Sequence, residues 1–179
     1  MIRLPAALLT SATLALAVVA PIAPVGLGTA QAQAEAPAAP AAGSAFDVSA
    51  VRTLLKRGDA AVAAGNLPEA RRQYDLAREA ARRLLGFYRS LSGAFRGLDA
   101  RIPREMDDKG RQTLELLADA NMRLAALFRR QGQPEVAVPL LVEVVSSMTP
   151  TTEVGRSAYQ QLLEIGFVTT PYYGGTAGS

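Results

Sequence analysis

The chain has 179 residues, 49% of them apolar, and a formal net charge of +3. It contains neither Cys nor His, which excludes disulfides, thiol nucleophiles, Cys/His zinc sites and every His-based triad or proton shuttle. The length suggests one domain once processed ends are removed, and the many alanines among the apolar residues favour helices over sheets.

Met1 to Arg3 make a short positive start, and Leu4 to Ala20 are nearly all apolar. Pro21 and Pro24 follow. Small residues come next, and Ala30-Gln31-Ala32 and Ala32-Gln33-Ala34 both fit a small-x-small cleavage site. This order of charge, apolar run and small residues is that of a secretory leader, so residues 1–32 are expected to be a signal peptide. An uncleaved membrane anchor is the rival reading. No Cys follows the apolar run, which excludes a bacterial lipoprotein. A single Arg rather than a twin-Arg pair points to general secretion. Residues 33–46 read as a Pro/Ala linker. The expected location is an exported compartment, either periplasm-like or like a thylakoid lumen.

From Asp47 the apolar residues recur with helical spacing, and residues 47–168 are expected to form an all-α domain of about five helices. The first runs from about Asp47 to Ala64 and stops at Gly65-Asn66, a C-cap signal. The second opens at Pro68-Glu69, with Pro where a first turn tolerates it and an acid near the positive helix end. Its apolar positions are Ala70, Tyr74, Ala77, Ala81, Leu84, Tyr88, Leu91, Phe95 and Leu98, one continuous stripe expected to face a core. Gly86, Gly93 and Gly97 each cost roughly 1 kcal/mol against Ala in a helix, so a bend or break is expected there.

Ile102-Pro103 marks the turn into a third helix ending near Gln131-Gly132, with Leu114, Leu117, Asn121, Leu124 and Phe128 on its buried face. A fourth helix is expected from about Pro134 to Met148. A fifth starts at Thr151-Thr152-Glu153 and reaches Ile165-Gly166. The tail, residues 169–179, is expected to be largely disordered. Its Tyr172-Tyr173 pair is either a short docking motif or inert.

Two segments look alike. Gly58, Ala61, Gly65, Ala70, Tyr74 and Ala77 mark the first. Leu124-Ala125, Phe128, Gly132, Ala137, Leu141 and Val144 mark the second, with Pro150 near its expected end. Both resemble the tetratricopeptide pattern. The resemblance implies helical hairpins in which small residues sit at close helix crossings, large apolar residues fill the gaps and a glycine turns the chain. It covers roughly half of the chain beyond the leader. The sequence departs from the pattern by lacking the early aromatic, and its two segments lie about two repeats apart. A generic helical bundle is the alternative.

Charge is uneven. Arg52 to Arg104 carry twelve basic and five acidic residues, whereas Glu105 to Ser179 carry six basic and nine acidic. Arg71, Arg78, Arg82, Arg89 and Arg96 fall in a narrow stripe on the second helix, on its expected exposed flank. The stripe reads either as a docking surface for an acidic partner or as a solvated helix face. Under the family resemblance, Asn121 on an inner helix would bond a bound peptide's backbone; burial with a local partner is the plain alternative. Glu105, Asp107 and Asp108 lack the spacing of a calcium loop and suit a solvated first turn of a helix.

No phosphate loop, dinucleotide fingerprint or nucleophile elbow occurs. The expectation is a non-enzymatic protein–protein interaction module, an adaptor or assembly factor, that binds a protein or peptide partner. No cofactor, metal or nucleic acid is expected, and membrane contact only through the partner or an uncleaved leader. A self-associating structural protein and a carboxylate-based hydrolase are the alternatives.

Overall fold

The computed structural model describes residues 47–174, so the expected leader and linker lie outside the described residues. Five helices follow one another and the described residues contain no strand: α1 (Val48–Ala63), α2 (Leu67–Ala94), α3 (Arg101–Arg130), α4 (Pro134–Met148) and α5 (Glu153–Ile165). Each helix packs on its chain neighbours, and α1 also touches α3.

The helix ends show why the chain breaks where it does. The Asp47 carboxylate accepts from the Val48 amide at 2.6 Å, Asn66 Oδ1 accepts from the Glu69 amide at 3.2 Å, and Thr152 Oγ1 accepts from the Gly155 amide at 3.1 Å. Each satisfies one of the amides that a helix start leaves without a partner. The exits of α1 and α3 are alike. Gly65 and Gly132 have φ of 74° and 72°. Asn66 N donates to Ala61 O at 2.8 Å, and Gln133 N donates to Phe128 O at 2.9 Å. This six-to-one closure needs a left-handed residue, which glycine adopts at no steric cost.

The expected bend at the α2 glycines is only partly realised. The helix runs unbroken through Gly86 and Gly93, and the chain turns only afterwards, at Gly97, with φ 86°. Pro139 stands inside α4, close enough to its start to remove only one early hydrogen bond. Thr169 to Tyr173 have no regular secondary structure, but they lie against α5: the Tyr159 hydroxyl donates to Thr170 O at 2.8 Å, and the Tyr159 and Tyr172 rings meet edge-on at 6.2 Å.

One core runs through all five helices, from Val51 and Leu55 through Leu84, Leu117 and Leu124 to Leu141, Val144 and Leu162. α1 and α2 approach closely at Gly58. Gly58 is buried against the Tyr74 ring, and a Cβ there would stand 2.2 Å from Tyr74 Cε1. The ring is held by its hydroxyl, which donates to Asp59 Oδ1 at 2.7 Å.

The middle hairpin is longer than its neighbours. The 28 residues of α2 and 30 of α3 flank helices of 16 and 15 residues. Asp47, at the start of α1, acts electrostatically on Tyr88 and Lys109. Beyond that level α2 continues for six more residues, about 9 Å at 1.5 Å per residue, with no part of α1 alongside. The apolar stripe of α2 therefore overruns the core. Ala70, Tyr74, Ala77, Ala81 and Leu84 are buried, but Leu91 is 44% and Leu98 80% exposed. The expectation that the whole stripe faces a core holds for its first half only.

Candidate functional site

The five arginines of the stripe do three different things. Arg71 lies over the Phe128 ring, 4.9 Å from its centroid, and pairs with Asp75 at 3.6 Å. Arg78 and Arg82 converge on Glu143 of α4: Arg78 Nη2 lies 2.9 Å and Arg82 Nη2 2.7 Å from Glu143 Oε2. Burial pushes the Glu143 carboxyl up, but the Arg82 and Arg78 guanidiniums outweigh it and hold it below the usual range. These two arginines tie α2 to α4. Arg89 and Arg96 are exposed and have no ion pair among the described residues.

Arg89 and Arg96 border a groove of about 380 Å³ between the outer halves of α2 and α3. Leu85, Tyr88, Met106 and Leu114 supply apolar lining. Ser92 and Asp107 cross it, the Ser92 hydroxyl donating to Asp107 Oδ1 at 3.0 Å. Arg111 is also on the rim but already pairs with Asp108. The acidic run sits in the second turn of α3 rather than the first, because the helix begins at Arg101; Glu105 pairs with Lys109 at 2.7 Å.

Asn121 is fully buried, and neither Oδ1 nor Nδ2 has a hydrogen-bond partner among the described residues. Its amide faces the packed interior and not a surface on which a peptide could lie. A polar group so placed costs about 1–3 kcal/mol of desolvation.

A second cluster was not anticipated from sequence. Asp59 of α1 accepts from the Tyr74 hydroxyl of α2 and from Arg123 Nε of α3 at 2.9 Å, and Arg123 Nη1 lies 3.4 Å from Asp119 Oδ2. Burial raises the Asp59 carboxyl, but the Tyr74 and Arg123 donors outweigh it and leave it below its ordinary value. The Tyr74 hydroxyl is pushed well above the usual tyrosine range by burial and by the Asp59 carboxylate. The cluster fastens three helices. Asp59 and Arg123 are 64 positions apart, and nothing in the local pattern pairs them.

No protein-family model, no curated protein and no solved structure matches the chain. Among the described residues no helix is long and apolar enough to cross a membrane.

Proposed function

We propose that the chain is an exported, tetratricopeptide-like protein that holds an acidic segment of a protein partner, acting as an adaptor or assembly factor and not as an enzyme. One observation carries this reading: Arg89 and Arg96, without ion pairs among the described residues, flank a groove lined by Leu85, Tyr88, Met106 and Leu114 beside Ser92 and Asp107. An apolar floor supplies affinity, while unpaired guanidiniums select carboxylates and set orientation. Arg78 and Arg82 are less suited to a partner, since Glu143 already engages them. Export rests on the leader-like order of residues 1–32.

The test is capture from detergent-solubilised membranes with the tagged chain, at low and high salt. A specific acidic partner should be retained at low salt and released at high salt. Arg89→Glu/Arg96→Glu should abolish capture without changing thermal stability. Retention of the same partner by that variant refutes the groove as the docking face.

A self-associating structural role is favoured by one separate observation. Val136 and Val142 are exposed on α4. Sedimentation that shows a stable oligomer disrupted by Val142→Glu would move the assignment there.

A further inference from the structure

The outer end of the α2–α3 hairpin combines two features that its role as a helix turn does not require. Phe87, Leu91 and Leu98 are 52%, 44% and 80% exposed. The step of four keeps Phe87 and Leu91 on one side of α2, and Leu98 stands in the turn that follows the helix. Burying that exposed apolar surface would stabilise the protein. Around it the free charge is cationic: Arg89, Arg96 and Arg104 have no ion pair among the described residues. Of the nearby acids, Asp99 pairs with Arg101 at 2.7 Å and Glu105 with Lys109 at 2.7 Å, while Asp107 accepts from the Ser92 hydroxyl and is outnumbered by the three arginines.

We propose that this end docks directly on an anionic phospholipid bilayer, with Leu91, Leu98 and Phe87 entering the acyl boundary and Arg89, Arg96 and Arg104 at the phosphates. Shape and charge select this occupant. The end is a projecting turn with Leu98 almost fully outside, which suits a planar surface. A second copy brought end to end would oppose like charges. Arginine stems lie along apolar surface while their heads stay in water, as an interfacial collar requires. Neither element suffices alone, since stable interfacial binding takes an apolar insertion together with a basic patch. Each cationic side chain near an anionic surface is worth about fivefold in partition. This contact is direct, whereas the sequence reading allowed membrane contact only through a partner or an uncleaved leader. It does not rest on the groove. Arg89 and Arg96 border both surfaces, so the reporter is placed at Leu98, which the groove does not include.

The chain has no tryptophan, so Leu98→Trp introduces the sole indole. The full chain carrying it is mixed with phosphatidylcholine vesicles, with and without phosphatidylglycerol. Leu76→Trp, in the first half of α2, is the control, because any insertion by the leader would bring both reporters to the vesicle. The expected result is a blue shift and quenching by brominated acyl chains for Leu98→Trp on anionic vesicles only. Adding Arg96→Glu/Arg104→Glu should weaken that partition at least tenfold. No shift on anionic vesicles overturns the proposal, as does an equal shift for Leu76→Trp. A shift that grows with protein concentration without vesicles assigns the end to a second copy instead. A shift seen only with solubilised membrane proteins assigns it to a protein partner.

Discussion

Gly58→Ala should markedly destabilise this protein, because the added methyl has no room at the crossing of α1 and α2. The new Cβ would lie 2.2, 2.5 and 2.9 Å from three Tyr74 ring atoms. The ring has nowhere to go: it is 3% exposed and its hydroxyl is bound to Asp59 at 2.7 Å. Overpacking of this kind costs about 1–3 kcal/mol. Displacing the ring also loses a hydrogen bond to a carboxylate, worth about 1.5–3 kcal/mol. Alanine returns roughly 1 kcal/mol through its better helix propensity. The net is a destabilisation of about 2–4 kcal/mol, a fall in Tm of roughly 10 °C for a domain of this size. Gly86→Ala is the matched control, since that glycine lies in α2 with open space around its would-be Cβ. It should stabilise by up to about 1 kcal/mol. Chemical denaturation followed by circular dichroism separates the two. If both substitutions shift the midpoint in the same direction, the close α1–α2 crossing is not what holds these helices together.

Glu143→Gln should cost about 1 kcal/mol at neutral pH, a figure kept small because Arg82 is half exposed. The folded Glu143 carboxyl sits below its ordinary value, so its contribution is present above the unfolded pKa and lost as pH falls through the folded one. Wild type and variant should therefore converge in denaturant midpoint as pH falls below the ordinary carboxylate range, and curves that stay parallel into acid would contradict the clamp. Asn121→Leu should stabilise by about 1 kcal/mol, since it replaces two buried polar atoms without partners by apolar surface of similar size. A calorimetric loss of that size instead would mean that the amide is satisfied by water in solution.

The elements were legible because local chemistry decides them. Gly65-Asn66 and Gln131-Gly132 closed helices as their residue types demand, and helix limits lie within a few residues of those the periodicity predicts. Gly58 and Tyr74 both stood out as positions of the repeat pattern, but that the one packs on the other is visible only in the fold. What surfaces those helices expose was less legible. The α2 stripe keeps its spacing past Leu84, yet burial stops because α1 ends, and no property of Leu91 or Leu98 reveals how far a neighbouring helix reaches. The arginine stripe failed to read as one surface for a similar reason. Its middle pair is claimed by Glu143, 61 and 65 positions away, and such a partner has no local signature. Asn121 sat on the expected buried face, but its lack of any partner there is a property of the packed neighbours and not of the residue.

Because each helix leans chiefly on the next one in the chain, the fold needs few encounters between distant parts of the polypeptide. Loop-closure entropy is small for such contacts, and chains built this way acquire their structure rapidly. Cooperativity is correspondingly graded along the chain. The central α2–α3 pair is braced from both sides, whereas α5 is braced by α4, by the segment after it and by Arg129 of α3, which pairs with Glu164 at 2.8 Å. Opening from the α5 end breaks the α4 interface and the Arg129 contacts to Gln161 and Glu164 but leaves the rest of the stack in place, so backbone amides there exchange with solvent through a smaller excursion than those of α2 and α3.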